Sequence, residues 1–317
     1  MKRISIRHSV TGLLLGSSII ASAIMAVQGK ASAQSASRST LVAPVNLPHI
    51  HGLAFSADGA NLFIPDHHGL AVYCKGHWST VPGLANDYMG FAVTKAAFYS
   101  SGHPAPNSNA VNPLGLMKSV DGGRTWSSLG LRGEADFHHM AASYGTSAIY
   151  VWNTGPNNRM PQVGLYRTDN DGFLWSHETA SGLTGQIGVL AVHPSNPAIV
   201  AVVTNDGLFI SMDSGSRFSA RVNGVQVVSA SFDLDGKHLW YGSYDKHAVL
   251  TRIALSGNSQ DAKRIALPPL HNDAVAYIAQ SPTNRSELAI ATFQRSVFIS
   301  TNDGQSWRMI ARNGVTS

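Results

Sequence analysis

The sequence predicts an all-β chain, a six-bladed β-propeller with four-stranded antiparallel blades. Three observations carry this: short apolar runs bounded by turn residues, no helical periodicity, and an eight-residue motif recurring at blade-sized spacing. Of the 18 acidic residues only Glu134, Glu178 and Glu287 are Glu, and helix formers are scarce beside 30 Gly and many Ser, Thr and Val. After residue 33 no 3.6-residue apolar pattern emerges. Runs of about 4–7 apolar residues recur instead, a length suited to strands.

Each element follows in order. Six units read as four strands apiece, their innermost strands starting near Gly52, Gly90, His139, Val189, Ser229 and Tyr277. The successive differences are 38, 49, 50, 40 and 48 residues, the length of a propeller blade. The first unit reads as Leu53–Phe55, Leu62–Ile64, Ala71–Tyr73 and Trp78–Val81. The fifth reads as Ser229–Phe232, Leu239–Gly242, Val249–Ile253 and Arg264–Leu267. The last ends in Trp307–Ile310, so the ring closes either with Leu41–Val45 as an added edge strand or without strand exchange. The expected organisation is 1–33 signal peptide, 34–48 lead-in or closing strand, 49–312 propeller and 313–317 tail. Seven blades would require that one unit be divided differently.

Four units carry the recurring motif. Residues 119–126 read SVDGGRTW, 168–175 TDNDGFLW, 211–218 SMDSGSRF and 300–307 STNDGQSW. Ser or Thr comes first, Gly fifth and an aromatic eighth. Asp121 and Asp213 stand third, whereas Asp171 and Asp303 stand fourth, after Asn170 and Asn302. Such residues suit a tight hairpin. A short Asp or Asn side chain accepts hydrogen bonds from nearby backbone N–H groups, Gly permits positive φ, and the aromatics Trp126, Trp175, Phe218 and Trp307 return onto the apolar layer. The motif resembles the Asp-box, the bacterial neuraminidase repeat of β-propellers. That resemblance implies a turn between the third and fourth strands of a blade, away from the ligand face, with a structural role.

The N-terminus accounts for most of the charge. The chain of 317 residues is formally +5, but residues 1–33 hold Lys2, Arg3, Arg7 and Lys30 and no acid. Removing them leaves 19 basic against 18 acidic residues, a net of +1. A basic start, an apolar run over Leu13–Val27 and Ala31-Ser32-Ala33 form the order of a secretory signal peptide cleaved after Ala33. The run is about 15 residues against the roughly 20 of a bilayer span, so a stable membrane span arises only if the peptide stays uncleaved. The expected location is extracytoplasmic, secreted or periplasmic. A near-neutral mature chain gives no ground for nucleic acid as a partner. A single cysteine, Cys74, excludes an internal disulfide.

What stands out in the remainder is histidine. Loops on the face of a propeller that enters the innermost strands hold about a fifth of the residues after 33, yet nine of 13 histidines there. They are His49, His51, His67, His68, His103, His138, His139, His247 and His271, and Lys246 and Arg295 lie in the same loops. Because residues two apart on a strand share a face, the channel mouth reads as two rings. The inner ring is His51, Met89, His138, Gly188, Val228 and Ala276; the outer is His49, Asp87, Asp136, Gln186, Gln226 and Ala274. Polar residues thus gather on blades 1 to 3.

Three kinds of chemistry fit these residues. Asp87 and Asp136 on neighbouring blades form a candidate catalytic carboxylate pair, with His able to move protons near neutral pH. His49, His51, His67, His68, His103, His138, Lys246 and His271 form a candidate ligand surface. His49, His51 and His138 form a candidate site for a divalent metal, the chain's one implied cofactor, since i and i+2 imidazoles point the same way. An ordinary polar channel, its His and Asp satisfied by one another and by water, is the competing reading.

The Asp-box resemblance spans sialidases, xyloglucan-degrading glycosidases, the sortilin ectodomain and a photosystem assembly factor. The arginine triad, Tyr nucleophile and F/Y-R-I-P start of sialidases have no counterparts here, which excludes that activity. The whole chain after the signal also resembles small secreted bacterial propellers labelled glycosyl hydrolase by similarity. The resemblance implies either binding, with or without hydrolysis, of a small polar or carbohydrate ligand, or a non-catalytic scaffold for a protein partner.

Overall fold

The computed structural model describes residues 44–256 and 262–317. The expected signal segment over 1–33 therefore lies outside the described residues, as does most of Leu41–Val45. The described chain is all-β: six antiparallel sheets of at least four strands, each strand paired with its neighbours in sequence. Blade 1 comprises β1 (Ala54–Phe55), β2 (Leu62–Asp66), β3 (Gly69–Cys74) and β4 (His77–Thr80). Blade 2 comprises β5 (Asp87–Val93), β6 (Phe98–His103), β7 (Leu116–Ser119) and β8 (Ser127–Gly130). Blade 3 follows with β9 (Met140–Ala142), β10 (Ile149–Asn153), β11 (Gly164–Thr168) and β12 (Ser176–Glu178). Blade 4 is β13 (Ile187–Val192), β14 (Val200–Thr204), β15 (Gly207–Ser211) and β16 (Ser219–Asn223). Blade 5 is β17 (Gln226–Phe232), β18 (His238–Asp245), β19 (His247–Ala254) and β20 (Lys263–Ile265). Blade 6 is β21 (Val275–Gln280), β22 (Leu288–Thr292), β23 (Val297–Ser300), β24 (Arg308–Arg312) and β25 (Val315–Thr316).

The innermost strands pack in ring order, β1 on β5 and so on to β21, which returns against β1. One apolar cluster fills each gap between neighbouring blades, including the seam between blades 6 and 1. This is why the second and third strands are continuous apolar runs. β14 and β15, Val-Ala-Val-Val-Thr and Gly-Leu-Phe-Ile-Ser, are buried at every position because a blade stacks on each face. Outer strands such as β16, with solvent on one side, are exposed or half-buried throughout.

The ring is secured differently from expectation. Residues 313–317, expected as a tail, turn back so that β25 adds a fifth strand to blade 6. Asn46 bridges Val315, Leu47 N–H donates to Gly314 O at 2.7 Å, and Thr316 Oγ1–H donates to Val45 O at 2.8 Å. Residues 45–47 and the C-terminal strand thus meet on one edge. Trp78 of blade 1 adds a bond across the seam, its indole N–H donating to Ile310 O at 3.0 Å.

The four recurring motifs fold as one hairpin turn, and the structure revises which residue does the work. In each, the first residue's hydroxyl donates to the third residue's side chain and accepts the N–H of the fifth, a Gly. The third side chain also accepts the N–H of the seventh residue: Thr125 to Asp121, Leu174 to Asn170, Arg217 to Asp213 and Ser306 to Asn302. Asn170 and Asn302 therefore fill the place that Asp171 and Asp303 were expected to fill. Those two aspartates take the fourth position, whose φ is +57° and +56°, and point outward from the turn. Asp171 reaches the Tyr99 hydroxyl and Lys118 ammonium of blade 2, each at 2.7 Å. The fifth position has no room for a side chain. A Cβ on Gly123, Gly215 or Gly304 would lie 2.3, 2.7 and 2.4 Å from Leu70, Leu165 and Ile265 of the preceding blade.

Candidate functional site

The loops leading into the innermost strands and those joining second to third strands gather at one end of the ring. Two His–Asp groups form there, each spanning a blade boundary. In the first, Pro48–His51 enters blade 1, the β2–β3 turn presents His67, and β5 of blade 2 opens with Asp87. Asp66 shapes that turn: its carboxylate accepts the His68 N–H at 2.6 Å, and burial raises its pKa. Arg295, at φ +64°, anchors the entering segment by donating to Pro48 O at 3.0 Å.

These supports bring three imidazoles together. His51 Nε2 lies 3.4 Å from His49 Nδ1 and 3.3 Å from His67 Nδ1. The rings of His49 and His67 stack at 5.0 Å, with His51 edge-on to both at 4.6 Å. Asp87 closes the group. Its Oδ2 lies 2.9 Å from His67 Nδ1 and its Oδ1 3.5 Å from His51 Nε2. The His51 side chain is only 6% exposed. Burial, reinforced by His49, holds its pKa down to about 4, so at neutral pH it offers an uncharged ring. Burial also lowers His49, with help from the charges of His67 and Arg295.

The second group repeats the pattern one blade on. His103 ends β6 of blade 2, and Asp136 and His138 enter blade 3. Asp136 Oδ2 accepts from His138 Nε2 at 2.7 Å and lies 3.2 Å from His103 Nε2. The other His103 nitrogen meets Asn112 Oδ1 of the long β6–β7 loop at 2.7 Å. In both groups a His from the second strand's end pairs with the Asp that opens the next blade. In both, the remaining carboxylate oxygen, Asp87 Oδ1 or Asp136 Oδ1, is buried with no hydrogen-bond partner. A buried acceptor left unpaired is uncommon and costs about 1–3 kcal/mol.

Beside these groups opens the central cavity, about 680 Å³, into which His51, His138 and His139 project with Gln186, Asn205 and Gln226. Met89, Gly188, Val228 and Ala276 of the expected inner ring also line it. At Met89, Gly188, Val228 and Ala276 the innermost strands bulge, so strict alternation fails at that ring and the outer aspartates turn toward blade boundaries. His138, expected beside His49 and His51, faces Asp136; His67 is the third imidazole of the first group. No hydrogen bond or ion pair joins the side chains of His68, Lys246 or His271 to either group among the described residues. Sequence reasoning missed Asn112, hidden in a polar loop, and the channel-lining Asn205. A third group, Asp233, Asp235 and His238, is filled by the Arg252 guanidinium, which bonds Asp233. His238 also meets Arg252, at 3.0 Å.

No family model matches the chain, and no curated protein matches it in sequence. Solved structures do. A family 74 xyloglucanase from Xanthomonas campestris is 15% identical at TM-score 0.54, covering 85% of this chain and 46% of its own. The family 74 enzyme of Niastella koreensis is 15% identical at 0.56, covering 87% and 46%. YCF48 bound to D1 peptide is 16% identical at 0.50, covering 84% and 83%. The chain therefore spans a little under half the length of those glycosidases. At such identity the likeness concerns the fold: this is a β-propeller, of an architecture used by glycosidases and by a peptide-binding protein alike.

Proposed function

We propose that the chain is an exported propeller that binds a small, hydroxyl-rich ligand of the carbohydrate class at the mouth of the central cavity, beside blade 3. The observation that supports it best is Asp136 Oδ1, a buried acceptor without a donor, whose partner His138 lines a sugar-sized cavity. A ligand hydroxyl supplies the missing donor, while the exposed His138, Gln186 and Gln226 offer further bonds at the rim. The apolar walls, Met89 and Phe293 among them, suit the C–H faces of a sugar ring. Export follows from the order of charges and apolar residues in 1–33.

Calorimetric titration with a panel of neutral oligosaccharides tests this. Saturable binding is expected, and Asp136→Asn, which swaps an acceptor oxygen for a donor, weakens it at least tenfold. No binding by the natural chain, or equal binding by the variant, overturns the reading. Reducing-end release, followed in parallel, would extend it from binding to hydrolysis.

A further inference from the structure

We propose that His49, His51 and His67 form a three-imidazole site for a borderline divalent transition ion of the Zn(II) kind, with the Asp87 carboxylate beside it. This stands apart from the ligand reading, which rests on blade 3. The distances carry it first. A Zn–N bond of about 2.0–2.1 Å in a tetrahedron sets neighbouring donors about 3.3–3.4 Å apart. His51 Nε2 stands 3.4 Å from His49 Nδ1, 3.3 Å from His67 Nδ1 and 3.5 Å from Asp87 Oδ1. The candidate donor nitrogens of the three imidazoles all lie within 4.8 Å of one another.

Proton bookkeeping carries it second. His51 Nε2 meets both other imidazoles, at 3.4 and 3.3 Å, yet a single ring nitrogen holds at most one proton or one lone pair and cannot serve both contacts fully. Asp87 Oδ2 lies 2.9 Å from His67 Nδ1, and its buried Oδ1 has no hydrogen-bond donor. A cation at the centre answers all of these groups together. Binding it releases any proton held between the three ring nitrogens to solvent and leaves three neutral imidazoles as ligands.

The donor set names the ion class. Nitrogen-rich, tetrahedral sites favour Zn(II) and its neighbours over Mg(II) and Ca(II), which prefer oxygen. Three protein donors leave the fourth position to water, and the ion ties the segment entering blade 1 to the β2–β3 turn. The Arg295 charge nearby is directed at Pro48 O and positions that segment.

Equilibrium dialysis of the full chain against Zn(II), followed by elemental analysis, tests the proposal, with Co(II) absorption reporting geometry. One tightly held Zn(II) and a tetrahedral Co(II) spectrum are expected, with no uptake of Mg(II) or Ca(II). His49→Ala and His67→Ala change exposed side chains and so preserve folding; each should weaken Zn(II) at least 100-fold. His77→Ala, on the outer strand of blade 1, should leave it unchanged. No bound Zn(II), undiminished binding by His67→Ala, or loss caused by His138→Ala instead would each overturn the proposal.

Discussion

The two ends of this ring use the same residue types to opposite effect. At the hairpin end, every turn side chain that replaces a backbone partner is saturated. Asp121 accepts from Ser119, from Thr125 N–H and from the Thr125 hydroxyl, which pulls its pKa down to about 2. At the mouth, Asp87 and Asp136 each keep a buried oxygen unpaired while neighbouring imidazoles crowd the other. Saturated acceptors close the hairpin end, and unsaturated ones leave acceptor capacity at the mouth. The contrast predicts that substitutions at the hairpin end change stability, and those at the mouth change binding.

The largest effect should come from Gly304→Ala. Its φ of +76° and a Cβ landing 2.4 Å from Ile265 combine a left-handed penalty with overpacking, about 2–4 kcal/mol together, measurable by denaturant unfolding. Next, Zn(II) at one hundred times its Kd should stabilise the natural chain by about 2.7 kcal/mol and His67→Ala by far less, read as a rise in Tm. Ser211→Ala strands the Gly215 N–H and one Asp213 bond inside a buried turn and should cost about 1–3 kcal/mol.

Smaller still is the Lys118–Asp171 link between blades 2 and 3. Burial alone would raise the Asp171 pKa, but the Lys118 and Tyr99 hydrogen bonds outweigh it and leave it lowered. Its stabilising contribution is therefore complete above about pH 4 and fades as pH falls through the depressed value. Asp171→Asn should remove that pH dependence at a cost of about 0–1 kcal/mol, since both groups are partly exposed. Asp136→Asn should leave the unfolding midpoint nearly unmoved while weakening ligand binding at least tenfold. A large loss of stability there would erase the contrast between the two ends.

The hairpin end was readable because its chemistry is local. Residues one, three, five and seven of the motif bond one another within a single turn, so spacing alone shows the partners. Even so, position three mattered more than identity: Asn170 and Asn302 do what Asp121 and Asp213 do. The mouth was less readable. His49 and His51 announce themselves, yet the third imidazole proved to be His67 and not His138. Bulges at Met89, Gly188, Val228 and Ala276 break the alternation from which the rings were drawn.

By itself, then, the sequence determined the strand content, the six units and the four turns, because hydrophobic runs and turn bonds act over a few residues. Tertiary structure decided three things. It chose β25 and Val45–Leu47 as the closing edge, it set His67 beside Asp87 across 20 positions of chain, and it set His103 beside Asp136 across 33. Those pairings depend on how each blade is rotated against the next, and that rotation is fixed by the apolar clusters filling every gap between blades. No local pattern encodes it.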